Sequence, residues 1–325
     1  MNNYFKNKKI LVAGGTGVIG LPLVRMLSEF GSKISVVSID SKKFAKKFLP
    51  KNVKFYRSDL RYFKNCNKFT KKKDIVINLI GIKGSTGIGK SKVADFFYSM
   101  VLFQTHLMES SFRNKVKKFV FVSSICGYPQ TKKKKDEKDF WNGLPKQNDM
   151  IPGIVKRLGE IQGQSFLDQN NWRGVRIIRP ANVFGPHDDF NIKTGQVIPS
   201  LIKKIFRKDK KIEVWGDGKA KRDFIFSEDV AKAILRVLYS KNVNSQPLNF
   251  GSGKATSIKF LVKKILKISK QKKIIKWKKS APTGDKVRIL SMKNFNSKIK
   301  NFNFTDLETA LIKTIEWYKK NKNYV

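Results

Sequence analysis

Three glycines near the start of the chain have a spacing that suits the binding of a phosphate-bearing nucleotide. Gly14, Gly17 and Gly20 form a Gly-x-x-Gly-x-x-Gly pattern directly after an apolar run over residues 10–13. In such a loop the first glycine permits a tight turn, and the second lets a pyrophosphate approach the main chain. The third lets a helix pack closely on the strand. Because the free N–H groups of that helix would face the phosphates, the pattern predicts a dinucleotide-binding loop.

The predicted cofactor site extends to the ends of the next strands. Asp40 ends a second predicted strand, where its carboxylate would hydrogen-bond the adenosine ribose and repel a 2′-phosphate, which favours NAD. Lys42 and Lys43 follow at once and could accommodate NADP. Asp59, after a third strand, could read the adenine amino group or cap a helix, while Leu60 packs on the ring. The residues predicted to bind the cofactor here are Gly14, Thr16, Gly17, Val18, Ile19, Gly20, Asp40, Asp59 and Leu60.

The elements that must position these residues alternate between strands and helices. Strands are predicted near residues 10–13, 33–40, 53–56, 74–81, 118–124 and 174–179. This alternation predicts an α/β fold, a Rossmann-type doubly wound parallel sheet, followed by a smaller C-terminal α/β substrate-binding lobe. We expect a dinucleotide-binding domain over residues 1–183 plus about 225–251. The lobe would then comprise about 184–224 plus 252–325.

The chain is strongly basic, with 69 Lys and Arg against 24 Asp and Glu and a formal net charge of +45. Such a charge ordinarily suggests a nucleic-acid or anionic membrane partner. Here the lysines are spread along the chain, so we expect a surface that attracts anionic small substrates and neither of those partners. The lysine run within residues 131–139 is expected to be a solvated insertion.

The two cysteines, Cys66 and Cys126, lie far apart and lack metal-ligand spacing, so we expect neither a disulfide nor a metal site. No apolar run approaches the roughly eighteen residues of a membrane span. The polar, lysine-bearing N-terminus leaves no room for a secretory signal. A cytoplasmic location is the expectation.

Motifs along nearly the whole chain resemble those of the extended short-chain dehydrogenase/reductase family that acts on nucleotide sugars. They are the glycine loop, Asp59-Leu60, Ser123-Ser124, Lys156, and residues 179–186, 215–218, 222–225 and 249–251. Within that family, residues 124–129 and 182–191 are similar to the GDP-L-fucose synthases, which are epimerase/reductases. The resemblance implies a nucleotide-sugar substrate, NAD or NADP as cofactor, and a homodimer.

The resemblance also implies roles for single residues. Ser124 would bind the sugar oxygen, Lys156 would serve hydride chemistry and bind the cofactor, and Arg222 would contact the nucleotide phosphates. Cys126 and His187 would exchange protons at the carbons beside the sugar ketone, where a C–H is acidic because its charge moves onto the carbonyl oxygen. The implied substrate-binding residues are Lys83, Asn182, Arg222 and Arg288.

Two positions depart from the family pattern, and both concern hydride transfer. Four residues before Lys156, where the family has a tyrosine, this chain has Pro152, which has no proton to donate. Met100 stands where the family usually has an asparagine that supports the lysine, and Tyr128 corresponds to a residue that is usually not the catalytic phenol. The sequence predicts a nucleotide-sugar epimerase/reductase with weakened hydride transfer. A 4-epimerase or 4,6-dehydratase, or a catalytically silent cofactor-binding homologue, remains an alternative.

Overall fold

The computed structural model describes residues 1–82, 93–131, 133–281 and 285–324. Its strands are β1 (Lys9–Ala13), β2 (Lys33–Ser38), β3 (Lys54–Arg57), β4 (Ile75–Asn78), β5 (Lys118–Val122), β6 (Val175–Pro180), β7 (Asn182–Phe184), β8 (Lys211–Trp215), β9 (Lys221–Arg222), β10 (Phe224–Phe226), β11 (Leu248–Phe250), β12 (Thr256–Ser257), β13 (Ile274–Lys278) and β14 (Val287–Arg288). Its helices are α1 (Asn2–Phe5), α2 (Gly20–Glu29), α3 (Lys42–Phe48), α4 (Phe63–Thr70), α5 (Val93–Arg113), α6 (Met150–Asn170), α7 (Val197–Ile205), α8 (Ser227–Tyr239), α9 (Ile258–Ser269), α10 (Lys293–Lys298) and α11 (Leu307–Lys320).

The described residues form one central sheet of seven strands in the order β11-β6-β5-β4-β1-β2-β3, and every pairing in it is parallel. The strands β4 and β6 are buried along their whole length, and β1 is exposed only at Lys9. Their apolar residues do not alternate with polar ones because helices cover both faces of the sheet. The predicted doubly wound parallel sheet is confirmed.

Consecutive residues of one strand point to opposite faces of the sheet and enter different apolar clusters. In β1, Val12 packs in the cluster beneath α2 and α8, whereas Leu11 packs in the cluster beneath α4, α5 and α6. The same division separates Val36 from Val37 in β2. The two apolar clusters, one on each face of the sheet, therefore fix the carboxyl ends of the strands. In an open α/β sheet the loops at these ends bind ligands.

A third apolar cluster belongs to the smaller C-terminal lobe. It gathers Phe184 and Phe190 with the buried faces of α7, β8, α9 and α11. Leu290, Phe295 and Ile299 pack instead in a cluster of the central sheet, although the sequence assigned them to the lobe. The exact division into domains stays a prediction. No helix within the described ranges is both long and apolar enough to cross a membrane.

The lysine run near residue 135 is not solvated throughout, so that prediction is wrong at Lys135. The Lys135 side chain is only 1% exposed, and its Nζ donates to the Pro129 carbonyl at 2.6 Å. Its backbone pairs with Ile289 and Ser291, which come from a distant part of the chain. Burial lowers the pKa of Lys135 to about 8. Lys135 is therefore buried because its backbone pairs with a distant segment of the chain, although it belongs to a run of lysines in the sequence.

Candidate active site

An open cleft of about 2080 Å³ lies between the carboxyl edge of the sheet and the lobe. The predicted site residues that line it are Gly14, Thr16, Gly17, Val18, Ile19, Gly20, Asp40, Asp59, Leu60, Ser124, Cys126, Lys156, Asn182, Arg222 and Arg288. Lys83 lies outside the described residues. Within the described ranges, no group of three or more His, Cys, Asp or Glu side chains could hold a metal ion.

The three glycines of the first loop serve different physical needs. Gly14 has φ of +76°, a conformation that favours glycine. A Cβ on Gly20 would approach the Gly14 carbonyl oxygen to 2.5 Å, so the close contact of α2 with the loop requires glycine. A Cβ on Gly17 would meet only that same oxygen, at 3.4 Å, which is an ordinary contact. The fold therefore tolerates a side chain at Gly17, and the space beside it fits the approach of a pyrophosphate.

We expect Gly17→Val to abolish dinucleotide binding while the protein remains folded. A branched side chain there would occupy the space that the phosphates need but would not displace the loop. Calorimetric titration with NAD and NADP measures the binding, and circular dichroism with thermal unfolding checks the fold. Undiminished binding of both cofactors by a folded Gly17→Val protein would contradict the assignment of this loop.

Asp40 is tied to the glycine loop by two hydroxyl groups. Thr16 donates to the Asp40 carboxylate, and Ser38 Oγ donates to it at 2.7 Å. Thr16 is 4% exposed, whereas Asp40 itself is exposed, so the carboxylate is fixed from the inside and open toward the cleft. The predicted contact of Asp40 with a ribose stays a prediction.

Asp59 is engaged by a neighbouring arginine. Arg61 donates from Nε and NH2 to Asp59 Oδ2 at 2.9 and 2.7 Å, and this contact lowers the pKa of Asp59. Helix capping is the alternative role that the sequence allows for Asp59. The helix that follows begins at Phe63 and has Tyr62 as its N-cap, so Asp59 does not cap it. The predicted contact of Asp59 with adenine stays a prediction.

The predicted catalytic residues Ser124, Cys126 and Lys156 meet where β5 ends beside α6. The Cys126 backbone N–H donates to Ser124 Oγ at 3.1 Å, and the Ser124 hydroxyl also hydrogen-bonds the Cys126 thiol. Lys156 Nζ donates to the Val122 carbonyl at 2.8 Å. Burial lowers the pKa of Lys156 to about 8. A hydroxyl, a thiol and an amine thus line the same wall of the cleft.

The Cys126 thiol is flanked by charged groups from other segments. Burial raises its pKa, and the Arg288 guanidinium, which hydrogen-bonds the thiol, opposes that rise. Arg288 NH1 also pairs with Asp149 Oδ2 at 3.0 Å. Since the net shift is upward, Cys126 is mainly protonated at neutral pH, with a cation in place to stabilise the thiolate when it forms.

The departures from the family pattern both lie in the cleft wall. Pro152 is in the first turn of α6, one turn before Lys156, and lines the cleft with it. Met100 is 2% exposed and its sulfur accepts the Ile82 N–H at 3.4 Å. No tyrosine lines the cleft in the part of the chain that the structure describes.

Tyr128 cannot substitute for the missing phenol because its hydroxyl is held in the core. It is 3% exposed, donates to Asn249 Oδ1 at 2.6 Å and accepts from Arg179 NH1 at 3.0 Å. Arg179 in turn makes two hydrogen bonds to Glu160, at 2.9 and 2.6 Å. Burial raises the pKa of Tyr128 further above its ordinary value. The family motif at Arg179 therefore builds a buried polar network.

His187 lies away from the cleft, and its predicted role in proton exchange does not fit this position. Its ring is 8% exposed, packs 4.8 Å from Phe48 and 4.5 Å from Trp317, and Nε2 is 3.3 Å from Arg25 NH2. Burial and the charge of Arg25 lower its pKa to about 3, so the imidazole is neutral. The residue has φ of +65°, a left-handed turn conformation. His187 is accordingly a packing residue.

The wall contributed by the lobe contains Gln196 and Lys204, which the sequence did not single out, beside Trp215 of the motif over residues 215–218. Gln196 is the N-cap of α7, Lys204 lies on the same helix and donates to the Glu213 carbonyl at 2.9 Å, and Trp215 is 46% exposed at the end of β8. Together with Arg222 and Arg288 they give this wall a cationic and aromatic character that suits an anionic nucleotide. Only the fold brings α7 and β8 to the sheet edge, so local pattern could not identify Gln196 or Lys204.

The chain is similar to known proteins in both sequence and fold. A model of the NAD dependent epimerase/dehydratase family matches residues 10–251. A GDP-L-fucose synthase from Sinorhizobium fredii is 28% identical and covers 97% of this chain and 96% of its own length. Among solved structures, a UDP-glucose 4-epimerase from Thermotoga maritima with UDP-glucose has a TM-score of 0.84 at 24% identity, covering 96% of this chain and 99% of its own. A GDP-L-fucose synthetase from Naegleria fowleri bound to NADP has a TM-score of 0.82 at 23% identity, covering 98% and 95%.

Proposed function

We propose that the chain, which belongs to the NAD dependent epimerase/dehydratase family, binds NAD or NADP together with a nucleotide sugar and exchanges protons beside the sugar ketone faster than it reduces that ketone. One observation carries the proposal. The cleft wall keeps Ser124, Cys126 and Lys156, but its position one turn before Lys156 is Pro152. The polarising hydroxyl of Ser124 and one of the two predicted proton-exchanging groups, the Cys126 thiol, line the cleft, whereas the phenol expected for hydride chemistry is missing.

The proton exchange that we propose needs only groups of this chain. The Cys126 thiolate takes a proton from a carbon beside the ketone, and the electron pair moves onto the carbonyl oxygen. The Ser124 hydroxyl donates a hydrogen bond to that oxygen, and stabilising such a charge is usually the largest catalytic contribution. The thiol proton exchanges with solvent, and the solvent-derived proton is then delivered to the carbon as the electron pair returns from oxygen, which restores the ketone and the thiolate. Arg288 supports the step because its charge stabilises the thiolate.

Reduction of the ketone makes a further demand, because the carbonyl oxygen must gain a proton as the carbon gains a hydride. When bound, the nicotinamide cofactor supplies the hydride. Pro152 has no proton to give, so the general acid expected one turn before Lys156 is absent, and Lys156 itself gives one of its three N–H donors to the Val122 carbonyl. Loss of a positioned general acid is typically worth about a hundredfold to ten-thousandfold in rate. We therefore infer a slow reductive step.

The cofactor fits the residues present. The space at Gly17 and the start of α2 suit a pyrophosphate, and Thr16 and Ser38 hold the Asp40 carboxylate at the cleft, where it would accept hydrogen bonds from a ribose. The Asp40 carboxylate disfavours a 2′-phosphate, whereas Lys42 and Lys43 at the start of α3 soften that preference. The proposal is NAD as the preferred cofactor, with NADP accepted.

Binding is expected to occur in two additive steps, first the cofactor and then the nucleotide sugar. NAD should bind more tightly than NADP in a direct titration, and a nucleotide sugar should then raise the unfolding temperature further. A ligand at a hundredfold excess over its Kd stabilises a protein by about 2.7 kcal/mol, so the screen uses high concentrations. NADP binding tenfold tighter than NAD, about 1.4 kcal/mol, would contradict the role of Asp40.

The same screen separates the alternatives. GDP-linked sugars are the first choice because the Sinorhizobium fredii relative is named a GDP-L-fucose synthase. A preference for UDP-linked sugars would favour the 4-epimerase or 4,6-dehydratase alternative. Stabilisation by cofactor with none by any nucleotide sugar would favour the catalytically silent homologue, and would contradict the proposed function.

A homodimer remains part of the proposal. The outward faces of α5 and α6, which lie side by side on one face of the sheet, expose Phe97 (38%), Tyr98 (62%), Leu158 (38%) and Ile161 (47%). Exposed apolar side chains grouped on adjacent helices are typical of an interface between subunits. This patch supports a second copy of the chain as the partner.

A further inference from the structure

Asp149 stands where an aspartate ordinarily caps a helix, but its side chain is used elsewhere. It is the N-cap residue of α6, and aspartate is favoured at such positions because its carboxylate can accept a hydrogen bond from a free N–H of the first turn. In the part of the chain that the structure describes, the Asp149 side chain makes no such hydrogen bond. Its Oδ2 lies instead 3.0 Å from Nη1 of Arg288, which belongs to the distant strand β14.

Arg288 connects this carboxylate to the Cys126 thiol. The Arg288 backbone is fixed in the fold, because β14 pairs with β9 and the Asp223 N–H donates to the Arg288 carbonyl at 3.0 Å. The Arg288 side chain is 13% exposed and hydrogen-bonds the thiol as well as the carboxylate. A carboxylate from α6, a guanidinium from β14 and a thiol from the segment after β5 therefore follow one another along the cleft wall.

The start of α6 is packed directly on the segment that carries the thiol. A Cβ on Gly153, one turn after Asp149, would lie 2.5 Å from the Cys126 carbonyl oxygen. One turn further, Arg157 Nε donates to the Gly127 carbonyl at 2.9 Å. These contacts fix the carboxylate and the thiol relative to each other, so Asp149 can direct a long and flexible arginine side chain to a fixed place.

A second arginine beside Arg288 makes such direction necessary. Arg222 is the register partner of Arg288 in β9, so the two side chains leave the same face of adjacent strands. Burial and the nearby charge of Arg288 lower the pKa of Arg222. Like charges at this spacing repel each other, and each needs a partner of its own. Arg222 donates to the Asp285 carbonyl, whereas Arg288 has the Asp149 carboxylate.

We propose that Asp149 is a positioning residue, which holds the Arg288 guanidinium against the Cys126 thiol. The inference deepens the proposed function, because Cys126 is the proton-exchanging group there. Among the described residues, the charged groups that face the thiol are Arg288, Asp149 and Lys156. Those that face the guanidinium are Asp149, Asp285, Arg222 and Lys135.

Asp149 has two opposing effects on the thiol. Its negative charge by itself raises the pKa of Cys126, whereas the arginine that it holds lowers that pKa. The effect of Arg288 is the larger one, since the guanidinium touches the thiol directly. Loss of the carboxylate should therefore make the thiolate harder to form when Arg288 is present, and easier to form when Arg288 is removed.

Alkylation of Cys126 by iodoacetamide measures this without cofactor or sugar. Only the thiolate reacts, so below the pKa the rate at a given pH follows the thiolate fraction. The full-length protein is alkylated over a series of pH values, and mass spectrometry of its peptides separates Cys126 from Cys66. Cys66 is fully buried, and burial raises its pKa to about 12, so fast alkylation of Cys66 would reveal an unfolded variant.

The variants Asp149→Ala and Asp149→Asn should behave differently. Asp149→Ala releases the guanidinium, and we expect Cys126 to be alkylated about tenfold more slowly at neutral pH, because an adjacent opposite charge typically shifts a pKa by about one unit or more. Asp149→Asn still offers an oxygen to Arg288 and removes a negative charge, so its alkylation should be at least as fast as that of the unmodified chain. The control Glu308→Ala removes an ion pair with Lys264 on the lobe and should change the rate by less than about twofold.

A second pair of proteins shows whether Asp149 acts through Arg288. In an Arg288→Met background, Asp149→Ala should no longer slow the alkylation of Cys126 and should instead speed it. Slowing by Asp149→Ala to the same extent in both backgrounds, equal slowing by Asp149→Asn, or no slowing by Asp149→Ala in the unmodified background would overturn the proposal. The expected alkylation rates, together with no exchange of deuterium into any nucleotide sugar, would support the positioning role and contradict the proposed function.

Discussion

Replacing Pro152 with tyrosine is expected to raise the rate of ketone reduction by about a hundredfold or more. The residue lies on α6 one turn before Lys156, and both line the cleft. A phenol there could protonate the carbonyl oxygen, and a positioned general acid is typically worth about a hundredfold to ten-thousandfold. Proline is not required in the first turn of a helix, so α6 should accept the change. Loss of absorbance of the reduced cofactor with a 4-keto-6-deoxy nucleotide sugar measures the rate.

The matched control is Pro152→Phe, which adds the same ring without the hydroxyl. This variant should reduce the ketone no faster than the unmodified chain. An equal gain from Phe and Tyr would show that the ring acts by packing and not by proton donation. No gain from Pro152→Tyr in a protein that still binds cofactor and sugar would mean that the missing phenol does not limit reduction.

Replacing Cys126 with serine is expected to lower exchange of solvent deuterium into the sugar by about a hundredfold or more, without loss of cofactor binding. A serine hydroxyl is a far weaker acid than a thiol, so it cannot act as the exchanging base. His187→Asn is the control, because asparagine tolerates the left-handed backbone found there, with φ of +65°. Exchange by the His187→Asn protein should match that of the unmodified chain, since His187 packs against Phe48 and Trp317 outside the cleft.

Exchange should also depend on pH in a definite direction. Burial raises the pKa of Cys126, so its thiolate is a minor species at neutral pH, and its fraction grows about tenfold for each unit of pH below the pKa. The exchange rate should therefore rise between about pH 6 and 8. A rate that falls over this range, or a loss in the His187→Asn protein as large as that in Cys126→Ser, would contradict the assignment.

The parts of the site that could be predicted from sequence are those fixed by local geometry. Gly14 is required by its positive φ, and Gly20 is required because a Cβ there would clash with the Gly14 carbonyl oxygen, six residues earlier in the chain. Pro152 and Lys156 share one helix, so their separation of four residues places both on one side of it. These spatial relations are set by residues close to one another in the sequence, so the pattern of residue types is enough to predict them.

The parts that failed depend on where distant segments meet. His187 lies in a motif next to the cleft-lining Asn182, yet the turn at φ of +65° places its ring against α3 and α11. Lys135 belongs to a run of lysines, yet it pairs with residues near position 290 and becomes buried. Gln196 is inconspicuous in the sequence and enters the cleft only because α7 packs across it. Proximity in the chain did not predict proximity to the site.

The most direct test of the proposed function compares the two reactions in one sample of the unmodified protein. The protein is incubated in deuterated water with reduced cofactor and a 4-keto-6-deoxy nucleotide sugar. Mass spectrometry of the recovered sugar gives the exchange, and absorbance gives the oxidation of the cofactor. We predict deuterium at a carbon beside the ketone well before an equivalent amount of cofactor is oxidised. Cofactor oxidation that keeps pace with or precedes the exchange would contradict the proposal that hydride transfer is the impaired step.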